Sequence, residues 1–306
     1  MSPGLRVAIA LPCVGLHIAV GFTIIALAFP FMSHATRSRL IRWWSRYVLA
    51  ICGVRVRVIG PGPGIESAAA SSVANAMRPG GIGAMLVMNH ISWIDIYVVH
   101  SVRPARFVAK AEIAAWPIIG FLTHRTGTIF IERGKRHAVR DANRRAAELL
   151  RAGELIAMCP EGTTGDGDRL LPFHANLIQP AIDARVPIVI AGLRYVDAHG
   201  WRTTAASYVG DINLFQSIVR IVRAGSITAE LHLIAAIDGA TTTRHQVAAR
   251  ARALMADALG FDDVSEEAAE GISTVIVVSD DGGSRRAAAI ERMGPTTEFD
   301  QRDELL

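Results

Sequence analysis

Asn89-His90-Ile91-Ser92-Trp93-Ile94-Asp95 places an imidazole five residues ahead of a carboxylate, directly after the apolar run Ala84-Met85-Leu86-Val87-Met88. Neutral imidazole is the side chain best suited to take a proton from a hydroxyl near neutral pH. A neighbouring carboxylate fixes its tautomer and stabilises the imidazolium that forms. No obvious nucleophile of the chain's own stands beside the pair. The combination suits deprotonation of a substrate alcohol.

Spacing limits how the two can meet. Within one helix, five residues separate side chains by about 140° around the axis. His90 and Asp95 meet only if the first ends a strand and the second lies in the first turn of the following helix. Ser92 is a suitable N-cap for that helix, and Ser92-Trp93-Ile94-Asp95 reads as a capping box. The same residues admit a plainer role, Asp95 satisfying the helix start and His90 lying in a loop.

Two further stretches carry chemistry only in company. Gly127-Thr128-Ile129-Phe130-Ile131-Glu132-Arg133 is a β-branched strand ending in a cation, and a guanidinium fork matches phosphate or carboxylate. Cys159-Pro160-Glu161-Gly162-Thr163-Thr164-Gly165-Asp166-Gly167 follows an apolar strand. Its glycines and hydroxyls suit backbone binding of a phosphate or an oxyanion. The Gly-Lys-Ser/Thr ending of a P-loop and a Gly-X-Ser-X-Gly elbow are both missing. The ten histidines show no ligand spacing, so no metal is expected. Cys159 flanks the motif, but its apolar setting favours a buried structural thiol.

Strands alternate with helices along the positioning framework. Strands are expected at 84–89, 106–109, 128–132, 155–159, 187–194 and 227–236. Helices are expected at 93–101, 116–124, 137–151, 174–184, 213–223 and 243–259. This alternation predicts an α/β fold with a mostly parallel central sheet flanked by helices. The stretch 61–83, rich in Gly, Pro, Ala and Ser, reads as a loop. Beyond about residue 262 the chain is acidic and aperiodic apart from 274–278, and reads as a disordered tail. The expected division is 1–58, a membrane-associated helical segment; 59–260, the catalytic domain; and 261–306, the tail.

The N-terminus gives the chain its membrane character. Half of the 306 residues are hydrophobic, and the net charge is +4. Residues 7–32 are almost wholly apolar. As one helix they would measure about 39 Å, against a hydrocarbon core of roughly 30 Å. A tilted transmembrane helix fits, as does a re-entrant pair broken at Pro12 and Pro30 and lying in one leaflet. A signal peptide fits less well, because the run is long and only Arg6 precedes it. Arg37, Arg39, Arg42, Arg46, Arg55 and Arg57 follow. They favour an anionic membrane surface over nucleic acid and keep the bulk of the chain on the cytoplasmic side. Trp43, Trp44 and Tyr47 suit an interfacial helix over 39–54. Three scattered cysteines fit a reducing compartment.

Together, the motifs resemble the four ordered signatures of the PlsC-type glycerolipid acyltransferase family, over about residues 35–235. They are the Asn89-His90 to Asp95 block, Gly127 to Arg133, Cys159 to Thr164, and Val186-Pro187-Ile188-Val189; Lys110-Ala111-Glu112 also fits. The resemblance implies transfer of a fatty acyl group from acyl-CoA or acyl carrier protein, a donor substrate with no cofactor needed, to a lysolipid hydroxyl. The first expectation is 1-acylglycerol-3-phosphate giving phosphatidic acid, at the inner membrane with the catalytic domain facing the cytoplasm. His90 is then the base and Asp95 its orienting partner. Asn89, Lys110, Arg133, Glu161, Gly162 and Thr163 fall to substrate binding. One departure matters: the family's arginine after Glu-Gly-Thr is Thr164 here, with Arg169 nearby. That pattern also resembles relatives acting on lyso-ornithine lipid or larger lysolipid head groups. A thioesterase using His90 to activate water is the hydrolytic alternative.

Overall fold

A computed structural model describes residues 2–60, 67–132 and 136–261. Arg133 and the expected tail beyond 261, with its 274–278 segment, lie outside these residues. Seven strands form one sheet: β1 (Val54–Ile59), β2 (Ala84–Met88), β3 (Arg106–Lys110), β4 (Ile129–Ile131), β5 (Leu155–Met158), β6 (Pro187–Val196) and β7 (Ile227–Asp238). Their order is β1-β7-β6-β2-β5-β3-β4. The five strands from β6 to β4 run parallel, β7 is antiparallel to β6, and β1 is parallel to β7. The sheet is thus mixed and mostly parallel, as the alternation predicted.

β2 is buried at all five positions, which is why it reads as an unbroken apolar run. Its residues divide by parity between the two faces. Leu86 and Met88 meet α2 (His34–Ile51), α3 (Ser67–Met77) and α4 (Asp95–Val102) through Leu49, Val73 and Val98. Met85 and Val87 meet α6 (Arg136–Arg151), α7 (Gln179–Ala184) and α9 (Arg244–Leu259) through Leu150, Ala181 and Ala251.

Three local readings are corrected. α3 fills much of the stretch expected to be a loop. Its Ala/Ser composition misled, since alanine is the strongest helix former, and Val73, Ala76 and Met77 bury one stripe at helical spacing. The single helix expected at 174–184 is a 3₁₀ turn, Ala175–Leu177, followed by α7, with Pro180 in the first turn where a proline is tolerated. β1, with its alternating Val-Arg-Val-Arg, was not anticipated; it pairs along the edge strand position beside β7.

At the N-terminus, α1 (Pro3–Leu27) is one helix running through Pro12, so that proline does not split it. Pro30 sits in the 3₁₀ turn Phe29–Phe31 that leads into α2. The helix is long and apolar enough to cross a membrane. Nevertheless it rests on the domain along its length. Ala10 packs on Ile218 and Val222 of α8 (Leu214–Ala224). The His17 ring stacks on Trp44 at 3.5 Å, and the Phe22 ring lies 4.9 Å from Phe121 of α5 (Pro117–Thr126). At Gly21 the Trp44 ring occupies the space a Cβ would take. Leu5, Ile9, Leu16 and Val20 face outward. On α2, Trp43 and Tyr47 are also exposed, their rings 4.3 Å apart.

Candidate active site

The sheet topology predicts a crevice where the chemistry was expected. After β2 the chain turns to α4 on one face; after β5, the neighbouring strand, it turns to α7 on the other. Such a divergence of adjacent parallel strands leaves a cleft at their carboxyl ends. His90 leaves β2 at this edge, and Glu161 leaves β5 beside it.

His90 Nδ1 lies 2.8 Å from Asp95 Oδ2. The same oxygen accepts from the backbone N–H of Ile91 at 2.8 Å and of Ser92 at 2.9 Å. An oxygen already accepting two bonds is an acceptor for the ring as well, so Nδ1 carries the proton and Nε2 keeps its lone pair. The histidine side chain is 26 % exposed and the aspartate 0 %, so the imidazole reaches solvent while its partner does not. The two readings of Asp95 prove compatible: one carboxylate satisfies the helix start and holds the ring. The capping box itself is corrected. α4 starts at Asp95 with Ile94 at the cap position, no side chain caps it, and the Ser92 hydroxyl is buried without a partner. Only the backward half of the box forms, because Asp95 reaches back to the Ser92 N–H.

The backbone of His90 is clamped from the next loop. Its N–H donates to Glu161 Oε2 at 2.5 Å, and its carbonyl accepts from Gly165 N–H at 2.7 Å. The other Glu161 oxygen accepts from Leu171 N–H at 2.9 Å. Glu161, assigned to the acceptor from sequence, therefore has both carboxylate oxygens on backbone N–H groups and acts as a brace. Burial pushes its pKa up to about 7, against the pull of those two N–H groups and of His90. Asn89 is corrected in the same way. Its side chain donates to the Leu193 carbonyl at 2.8 Å and accepts from Leu193 N–H at 2.7 Å, extending the pairing of β2 with β6. It is 2 % exposed and offers nothing to a substrate.

The remaining expected residues are placed as follows. Gly162 adopts a φ of +69°, the left-handed region that admits glycine, and its N–H donates to the Cys159 carbonyl at 3.1 Å. Thr163 is exposed on the crest of that turn. Lys110 is exposed at the carboxyl end of β3, and β5 separates β3 from β2. At about 4.8 Å per strand its stem stands about 10 Å from His90. Arg133 lies outside the described residues. Cys159 has its thiol pKa raised well above the usual value by burial and by the Asp95 and Glu161 carboxylates. It stays protonated, as expected of a structural thiol.

Two features escaped the sequence reading. Tyr195, on β6 and 1 % exposed, donates its hydroxyl to Asp95 Oδ1 at 2.5 Å. Burial and the carboxylate raise its pKa well above 10, so it remains a neutral donor. A tyrosine in a mostly aliphatic strand was the available signal, since a buried phenol needs a partner. The second is the segment between β6 and α8. Tyr208 N–H donates to the Ile91 carbonyl at 2.9 Å, its carbonyl accepts from Thr164 Oγ1 at 2.5 Å, and Ser207 Oγ donates to the Asp166 carbonyl at 2.5 Å. The position where the resemblance leads one to expect an arginine thus ties two loops together. Among the described residues no group of three or more His, Cys, Asp or Glu side chains is placed to hold a metal.

Several known proteins are similar to this chain. A family model described as Acyltransferase matches residues 71–193. A 1-acyl-sn-glycerol-3-phosphate acyltransferase of Neisseria gonorrhoeae is 38% identical over 158 residues, covering 52% of this chain and 62% of that enzyme. The enzyme of the same description from Neisseria meningitidis is 34% identical, covering 67% of this chain and 74% of its own. A lyso-ornithine lipid O-acyltransferase of Pseudomonas aeruginosa is 32% identical, covering 71% and 76%. Among solved structures, the 1-acyl-sn-glycerophosphate acyltransferase PlsC from Thermotoga maritima superposes with a TM-score of 0.58. It is 16% identical and covers 84% of this chain and 94% of its own, a likeness of fold.

Proposed function

We propose, from the premise that this chain belongs to the PlsC-type acyltransferase family, that it is a lysolipid O-acyltransferase in which His90 is the general base. The observation that carries the reading is the His90–Asp95 contact at the mouth of the β2–β5 crevice. Nε2 takes the proton of the lysolipid hydroxyl as its oxygen attacks the thioester carbonyl. The new C–O bond gives a tetrahedral oxyanion. Its collapse breaks the C–S bond, and the departing thiolate takes the proton from the imidazolium. Acyl-CoA or acyl carrier protein supplies the thioester, so no acyl-enzyme is required. A positioned base contributes typically 10²–10⁴-fold. The Thr163 N–H is the backbone donor we assign to the oxyanion, a role worth roughly 3–4 kcal/mol.

The acceptor we place first is 1-acylglycerol-3-phosphate, as for the two Neisseria relatives. Its phosphate would lie toward Lys110, along the sheet edge from the reacting hydroxyl, and Arg133 is the second cation we assign to it. Lyso-ornithine lipid is the second reading, favoured by one observation: Thr164 stands in place of a head-group arginine and its hydroxyl is committed to Tyr208. We also propose that the protein works at the cytoplasmic face of the inner membrane. There α1 would lie along the surface, with Leu5, Ile9, Leu16 and Val20 in lipid and Trp43 and Tyr47 at the interface.

The test is a labelled acyl donor with a panel of lysolipids, using the wild type and His90→Ala. The expected result is one acylated lipid from the wild type and none from a folded, membrane-bound His90→Ala. Release of free fatty acid without lipid acylation would replace the transferase with a thioesterase. Arg133→Ala is expected to raise the acceptor KM more than the donor KM; the reverse order removes its head-group role.

A further inference from the structure

We propose that Tyr195 is a positioning residue of the acyl-transfer centre, acting on His90 through the carboxylate oxygen of Asp95 that His90 does not touch. The proposal rests on the reading of His90 as base. Asp95 Oδ2 is held by Nδ1 of the ring and by two backbone N–H groups at one end of the carboxylate, and among the described residues Oδ1 is held only by Tyr195. The carboxylate plane is therefore pinned at both ends, by α4's own entry turn and by a strand residue 100 positions along the chain. A residue that merely filled this space would need no hydroxyl. Burying one without a partner is costly, and the partner found here is the base's own carboxylate.

Two consequences follow from one bond. The first is geometric: the ring can rotate away from the substrate only if the carboxylate turns, and Tyr195 resists that turn. The second is electrostatic. A donor on Oδ1 draws negative charge away from the ring. Removing it leaves more charge on Oδ2, holds the imidazolium better and raises the affinity of His90 for its proton. Since the base works as the neutral ring, activity is then lost at a higher pH on the acid side.

The titratable groups around the ring are few. Asp95 faces it from α4 and Tyr195 stands behind Asp95 on β6. Glu161 and Cys159 come from the turn after β5. Glu161 adds its own titration near neutrality, but it touches the backbone of His90 rather than Asp95, so its contribution is common to the three proteins compared below.

The experiment compares the wild type, Tyr195→Phe and the protein with 3-fluorotyrosine incorporated at position 195. The acyl-transfer rate is measured across pH in detergent micelles, with His90→Ala as control and chemical denaturation to confirm folding. Phenylalanine keeps the shape and deletes the donor. We expect kcat to fall about ten-fold, part of the 10²–10⁴-fold a positioned base supplies. Both KM values should stay within about two-fold, and the acid limb should move up by about half a pH unit. Fluorotyrosine, a more acidic phenol and a stronger donor of unchanged size, is expected to move the limb the other way, which keeps the test decisive should the phenylalanine variant fold poorly. An acid limb unmoved in both variants, with His90→Ala inactive, overturns the proposal and leaves Tyr195 a packing residue, even if kcat falls. A His90→Ala protein that still transfers acyl groups marks a different failure, that of the base reading, and takes this proposal with it.

Discussion

Asp95→Asn should cripple catalysis and largely spare the fold, whereas Asp95→Ala should do the reverse damage as well. Asparagine has two orientations. With its NH₂ at the Oδ2 position it would face three donors: His90 Nδ1–H, Ile91 N–H and Ser92 N–H. With its NH₂ at the Oδ1 position it faces only the Tyr195 hydroxyl, which can turn and accept. The second orientation wins, so the amide oxygen keeps the ring in its tautomer and only the charge is lost. A unit charge about 4 Å from an imidazolium, at an effective dielectric near 20, is worth at most ~4 kcal/mol. At ~1.4 kcal/mol per factor of ten, that bounds the loss at roughly 10³-fold in kcat. The retained hydrogen bond sets the lower bound at roughly 5–30-fold, since bonds to charged groups exceed neutral ones by only ~1–2 kcal/mol, so the expected loss lies between the two bounds, near 10²-fold. Alanine instead leaves two buried N–H groups and a buried phenol unpaired, at roughly 1–3 kcal/mol each. That is a large share of a typical 5–15 kcal/mol stability. Initial rates of acyl transfer and urea denaturation of both variants separate these effects. Wild-type kcat in the asparagine variant, beside an inactive His90→Ala, would refute the dyad. Equal stability losses in the two variants would refute the donor accounting.

Glu161, raised from 4.5 to about 7 by burial, binds its proton more tightly folded than unfolded. Its contribution to stability is therefore complete below about pH 4.5 and is lost as pH rises through about 7; the wild-type thermal midpoint should decline across that window, and Glu161→Gln should flatten the decline. An identical slope in both proteins would place the titrating group elsewhere. Asn89→Ala unpairs the Leu193 N–H and carbonyl and should cost about 3 kcal/mol in denaturation at unchanged acceptor KM; a raised KM at full stability would return Asn89 to the substrate. Leu16→Glu with Val20→Glu removes two outward apolar side chains from α1. At about 1.5–3 kcal/mol each, partitioning onto anionic vesicles should drop roughly a hundred-fold or more in co-sedimentation. Undiminished vesicle binding would show that this face does not meet lipid.

The sheet was legible because its strands are buried on both faces and read as aliphatic runs: β2, β5 and β6 were placed within a residue or two. So was the His90–Asp95 meeting, since five residues fit only a strand-to-helix junction. What stayed hidden were contacts whose partners are far apart in sequence. Glu161 and Asn89 lie in the right motifs, but nothing local says whether a polar side chain turns to substrate or to backbone. Tyr195 is 100 residues from Asp95, and only the adjacency of β2 and β6 joins them. α3 was missed for another reason: alanine and serine serve loops and helices alike, and only burial of Val73 and Met77 decides.

The Thr164–Tyr208 bond bears on any attempt to retarget the enzyme. Installing an arginine at 164 to favour a phosphorylated acceptor would also unfasten the segment that reaches over to Ile91. If residue 164 sets head-group preference as proposed, that preference and the stiffness of the cleft rim meet in one hydroxyl. A swap of acceptor is then a two-loop redesign, and sequence changes at 164 and around 208 should travel together when the chain is evolved toward a new lipid.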